Sequence, residues 1–125
     1  MIFFSVFQVN ANSFENVTLT CSTDKFPIKG GFIFTNSQKV DRYNILLNHK
    51  TKQEFIKKTE HCYSLSDHFI AISDESLDNG CGGYSSFIDI NTLEFSRPIE
   101  NIVLTAQCTY SEKDLIQVLK NAINN

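Results

Sequence analysis

Tryptophan is missing from this sequence, methionine occurs once, and two prolines and five glycines are spread over 125 residues. Nothing in that supply makes a Pro/Gly-rich linker, and no internal repeat or low-complexity tract divides the chain, so a single domain is expected. An excess of one charge is missing too. Net charge is −3, too mild for an acidic tail or a nucleic-acid binder. No apolar run approaches the roughly 20 residues that a helix needs to cross a bilayer, so no membrane span is expected. Four cysteines are present without one C-x-x-C pair, which excludes zinc ribbons and thioredoxin-like sites. G-x-S-x-G, H-E-x-x-H, P-loop and dinucleotide-binding signatures are likewise missing.

What is present is phenylalanine, 11 residues beside 4 tyrosines, in a chain that is 42% hydrophobic and 20% charged. That balance is ordinary for a globular protein, and the phenylalanines suit a sheet better than a helical bundle. The clearest pattern is Ile102–Tyr110, in which Ile102, Leu104, Ala106, Cys108 and Tyr110 alternate with more polar neighbours. Period two is the signature of a half-buried strand, because successive side chains leave opposite faces of the pleat. Val17–Cys21 repeats it, again with the cysteine in phase with the apolar set. Three connectivities are open to four cysteines; Cys21–Cys108 with Cys62–Cys81 is preferred, the first pair on two apolar strand faces and the second bracketing one strand and its return. Paired cysteines point to an oxidising compartment, periplasmic or secreted.

In chain order, 1–11 reads as the tail of a secretory signal peptide, although no basic residue precedes its apolar run. A first strand is the competing reading, since Ile2, Phe4 and Val6 also alternate. Residues 12–125 are expected to form one disulfide-bonded, β-rich domain. The sequon Asn16-Val17-Thr18 falls at the start of an apolar strand and is read as coincidence. Strands are expected at 31–35, 40–47, 66–73, 84–90 and 93–99, the last two joined at Asn91-Thr92. Residues 48–61 stay open between a helix, supported by Glu54 and Lys58 four apart, and a hairpin. This stretch holds His49, Lys50, Lys52, Lys57 and Lys58, a solvated face or a contact for an anionic partner. Ser111 as N-cap, followed by Leu115, Ile116, Leu119 and Ile123 on one side, predicts a closing helix. The fold class is therefore mainly β (α+β), an antiparallel meander or small barrel-like sheet with a C-terminal α-helix.

Three groupings have chemistry worth weighing. Cys81 among Gly80, Gly82 and Gly83 resembles a nucleophile with His61 or His68 as its base. Papain-like sites, however, place the cysteine at a helix start, and residues 84–90 read as strand. His61, Cys62, His68 and Cys81 have zinc-ligand types at a spacing that matches no signature. Asp74, Ser76 and Asp78 begin a calcium loop, but Asn79 stands where glycine is required and Ser85 where the bidentate glutamate belongs. No metal or cofactor is expected on this showing. The reading that follows is a non-catalytic module that recognises a protein, as an inhibitor or immunity protein against an envelope-acting enzyme or toxin. Asp74, Glu75, Asp78 and Tyr84 are its expected contact residues. A small cysteine hydrolase using Cys81, and a small-ligand carrier with a lipocalin-like barrel mouth, are the alternatives.

Overall fold

The computed structural model describes residues 14–24 and 29–124; the expectations for 1–11 fall outside them. Eight strands follow one another around a closed antiparallel barrel. They are β1 (Thr18–Ser22), β2 (Gly30–Phe34), β3 (Lys39–Asn48), β4 (Gln53–Leu65), β5 (Phe69–Ser73), β6 (Tyr84–Asp89), β7 (Glu94–Ile99) and β8 (Ile102–Tyr110), followed by helix α1 (Leu115–Asn124). Each strand pairs with its sequence neighbour, and β1 returns to pair with β8. Of the two sheets expected, meander and barrel, the chain forms both at once: a meander whose ends meet.

Alternation sets the inside. Leu19 and Cys21, Phe32 and Phe34, Val40, Tyr63, Ile70 and Ile72, Ile88, Phe95 and Cys108 are all buried in one cluster. An eight-stranded barrel has an interior just wide enough for such side chains to fill. Cys21 and Cys108 stand directly opposite across the β1–β8 seam and are bonded, with Cα atoms 3.9 Å apart. The second disulfide joins Cys62 on β4 to Cys81 in the β5–β6 loop. Both pairings are those preferred from the sequence, and they point to an oxidising compartment.

A second, smaller cluster lies outside the barrel. Leu115 and Leu119 of α1 are buried against Tyr43 and Ile45, with Ile33, Ile56, Ala122 and Ile123 at its margin. Burying each leucine contributes about 1.5–3 kcal/mol. Gly31 makes room for the helix: a Cβ there would lie 2.8 Å from Leu115 Cδ1. Two details of the helix differ from expectation. Asp114, not Ser111, caps it, accepting from the Ile116 N–H at 3.1 Å, while Ser111 closes a local turn on Lys113. Ile116 faces outward rather than joining the apolar side. Two strands differ as well. The expected strand 66–73 begins only at Phe69, because Ser66 Oγ bonds the Phe69 N–H and makes 66–68 a turn. Residues 48–61 resolve into a hairpin, with β4 running on through Cys62–Leu65.

The two ends of the barrel are unlike. At one end Phe14 and Val17 pack under the interior cluster, Phe14 edge-on to Phe34 at 5.3 Å and Phe34 edge-on to Tyr63 at 4.9 Å. The Tyr63 hydroxyl donates to the Asn36 carbonyl at 2.7 Å, and burial raises its pKa. The β2–β3, β4–β5 and β6–β7 turns belong to this closed end. The β3–β4, β5–β6 and β7–β8 connections belong to the other, which the described residues leave open.

Candidate functional site

Two long hairpins rise at the open end. The β3–β4 ladder runs to Asn48–Gln53, whereas β2 pairs β3 only as far as Asn44, and β5 pairs β4 only from Tyr63 to Leu65. The tip of β3–β4 therefore stands clear of its neighbours. The β7–β8 ladder likewise extends to Ile99–Ile102, beyond the last β1–β8 pair at Ser22–Gln107. Four steps around an eight-strand ring separate the hairpins, so they face each other across the mouth. Both carry exposed apolar side chains behind polar tips, residues 48–54 on one and Glu100 and Asn101 on the other. Leu46, Leu47 and Phe55 lie on one, and Ile99, Ile102, Val103 and Leu104 on the other, with Ile102 and Val103 each 59% exposed. The inward expectation for β8 thus holds only around Ala106 and Cys108; Ile102 and Leu104 overhang the mouth, and Tyr110, paired with Leu19 at the other end of the strand, is exposed.

Below the hairpins, the neck is charged. Inward alternation from Val40 brings Arg42 into the barrel, level with Thr59 on β4. Its guanidinium carbon lies 5.7 Å from the Phe32 ring centre and 5.5 Å from that of Phe95. Burial, then the charge of Arg97, lowers the Arg42 pKa, and Asp74 works in the opposite direction. Asp74 itself is engaged by Arg97, whose Nη2 donates to Asp74 Oδ1 at 2.9 Å. That ion pair spans a gap, because β6 and β7 pair only at Phe87–Ser96 and Ile88–Phe95. His61 is buried nearby. Its Nδ1 lies 3.0 Å from the Ser73 carbonyl, which only accepts, so Nδ1 holds the proton and Nε2 accepts from Thr59 Oγ1 at 2.8 Å. Burial, followed by the charge of Arg42, keeps the imidazole pKa below the usual histidine range.

The residues singled out in the sequence are not all gathered. Asp74, Glu75 and Asp78 sit on the rim in the β5–β6 loop. Tyr84 is exposed at the start of β6, beside a shallow outer-wall pocket lined by Cys62 and Ser64. Cys81 takes a left-handed conformation (φ 70°) between two glycines that do the same, Gly80 and Gly82. Its sulfur is bonded to Cys62 and offers no thiolate while so paired. His68 is in the β4–β5 turn at the opposite end. Among the described residues no group of three His, Cys, Asp or Glu side chains could hold a metal ion, and no helix is long and apolar enough to cross a membrane.

The basic stretch is spread along β4 and its turn. Lys58 and Lys39 share Asp41 and Glu60 on the outer wall, Lys39 Nζ lying 3.1 Å from Glu60 Oε2. From Gln53 to Cys62, β4 has no strand partner on its β5 side among the described residues, and lysines on such an edge discourage pairing with another chain. No family model, curated protein or solved structure matches the chain.

Sequence reasoning missed the neck. Arg42 falls in a segment that also holds Asp41 and Asn44, and its signal was its phase: it keeps step with the inward Val40 rather than with the outward Asp41.

Proposed function

We propose that this barrel is a periplasmic or secreted, non-catalytic recognition module that binds a protein partner across its open end. The observation that carries the reading is the pair of opposed hairpins. Exposed apolar side chains gathered at one end of a small domain mark an interaction surface, whereas single exposed ones do not. Rigidity supports the same role. The barrel has closed its ring, a disulfide ties the seam, and the loops are presented from a scaffold that costs little to order on binding. Around the apolar rims, Glu75 and Asp78 have no ion-pair partner among the described residues, and they suit a partner with a cationic cleft. An inhibitor or immunity protein acting on an envelope enzyme or toxin has these properties. The engagement of Cys81 with Cys62 and the location of His68 at the far end argue against a cysteine hydrolase.

Site-specific photo-crosslinking in the source organism tests this. A crosslinker replacing Phe55 or Val103 at the open end should capture the same protein species, and one replacing Gln38 at the closed end should not. Adducts spread evenly over both ends, or none from either hairpin, would reject the reading.

A further inference from the structure

We propose that the Arg42 slot is a carboxylate-binding subsite, taking the head of an amphipathic organic anion whose apolar body lies between the two hairpins. This goes beyond the partner reading and does not rest on it.

The charge balance of the neck is the first ground. Two guanidiniums, Arg42 and Arg97, face one carboxylate, Asp74, which is already bonded to Arg97. Arg42 rests against two adjacent rings, Phe32 and Phe95, whose centres are 5.8 Å apart, and has no hydrogen-bond acceptor among the described residues. The rings cover one side of this half-buried guanidinium and supply no acceptor for its N–H groups, and a charge partly taken out of water is costly until it is both paired and hydrogen-bonded. A carboxylate supplies both at once, through two parallel N–H···O bonds to the guanidinium fork.

Space is the second ground. A pocket of about 100 Å³ opens onto Arg42, with Phe32, Phe95, Ala106 and Asn44 in its wall. Drug-sized ligands occupy roughly 300–1,000 Å³, so this pocket holds a head group and a few carbons at most. Gly30 keeps it open on one side: a Cβ there would come 3.0 Å from Asn44 Oδ1, crowding the one neutral amide able to donate a second bond to the head.

The third ground is what lies above. Arg42, Asn44 and Leu46 are successive inner-face positions on β3, and Phe55 is opposite Leu46 on β4. Across the mouth, Ala106, Leu104 and Ile102 continue the inner face of β8. A ligand with its charge on Arg42 thus meets apolar side chains on both sides as it leaves the pocket. Its tail replaces water on Leu46, Phe55, Leu104 and Ile102, which a hydrophilic anion would leave wet.

The test uses purified, oxidised protein and NMR titration with octanoate, with octanol as the same tail without charge and acetate as the head alone. Octanoate should bind saturably at millimolar concentration and shift the amides of Asn44, Phe95 and Ala106. Acetate should shift the same amides more weakly, and octanol should bind at least about tenfold more weakly than octanoate, the equivalent of one good charge-assisted bond. Arg42→Gln should remove the octanoate preference. If that variant fails to fold, Leu104→Asp, a change on the exposed rim, should weaken octanoate by repulsion while leaving the melting temperature intact. Equal binding of octanoate and octanol, an unchanged Arg42→Gln variant, or shifts confined to the closed end would overturn the proposal, as would no response to octanoate. None of these outcomes bears on the crosslinking result.

Discussion

Leu115 occupies the space that a side chain on Gly31 would fill: a Cβ built there meets Leu115 Cδ1 at 2.8 Å and the Leu19 carbonyl oxygen at 2.3 Å. The helix could move, but the carbonyl belongs to the β1–β2 ladder and has little freedom to do so. Gly31→Ala is expected to destabilise by about 1–3 kcal/mol, the range for overpacking a well-filled site. Leu115→Ala should cost about 2–5 kcal/mol by leaving a cavity under α1. Urea denaturation measures both, and a Gly31→Ala protein as stable as the parent would mean that α1 does not sit on this face.

The two disulfides should not be equal in effect. Cys21–Cys108 joins residues 87 apart in sequence, and Cys62–Cys81 residues 19 apart. Chain entropy alone gives the first about 4.5 kcal/mol and the second about 3 kcal/mol. Paired serine replacements, compared by urea midpoint in oxidising buffer, should show the larger loss at the seam. The reverse order would indicate that tethering the β5–β6 loop contributes more than the ring closure does.

His61 gives the stability a direction with pH. Its folded pKa is lowered, chiefly by burial, so the unfolded chain takes up a proton at a higher pH than the folded one does. The stability that neutral His61 contributes is fully present above the unfolded histidine value of about 6.5 and is lost as pH falls through it. Urea midpoints should therefore decline from about pH 7.5 to about pH 5.5, one unit either side of that value, and His61→Gln should flatten this part of the decline. A parent protein whose midpoint holds steady across the range would contradict the burial of a neutral imidazole.

Turns of one kind serve both the β3–β4 and β6–β7 hairpins. Asn48 Oδ1 accepts from Lys50 and Thr51 N–H, and Lys52 follows with φ 63°. Asp89 Oδ1 accepts from Asn91 and Thr92 N–H, and Leu93 follows with φ 62°. Glycine adopts that conformation without the steric penalty other residues incur, about 1 kcal/mol. Lys52→Gly should raise stability by a few tenths to about 1 kcal/mol, while Asn48→Ala should lower it by a similar amount; a destabilised Lys52→Gly protein would speak against this turn.

That repeated turn also shows where the sequence was legible and where it was not. Strands read from alternation lie close to where they were expected, because a half-buried strand writes its period directly into the chain: Leu19 and Cys21, Phe32 and Phe34, Ile70 and Ile72. The stretch 48–61 stayed undecided because Glu54 and Lys58 mimic a helical pair, although they lie on a strand. A sign of the hairpin lies in the likeness of Asn-His-Lys-Thr-Lys-Gln at 48–53 to Asp-Ile-Asn-Thr-Leu-Glu at 89–94. Ring closure itself was not legible. A meander and a barrel share every local pairing, and only the approach of β1 to β8 separates them. The neck escaped for a related reason: Arg42, His61, Asp74 and Arg97 come from four distant segments, and nothing in their spacing brings them together.

A ring sealed by its first and last strands imposes an order of events on its own making. Each hairpin from β2 to β7 can zip locally as the polypeptide emerges, but the seam must wait for the final strand, residues 102–110, to be delivered. Until then the nascent ribbon has two raw borders, β1 and whichever strand has just arrived, and either can capture a neighbouring copy. Cys21 cannot meet Cys108 until residue 108 is present, so the covalent seam is necessarily a late bond of the assembled ring.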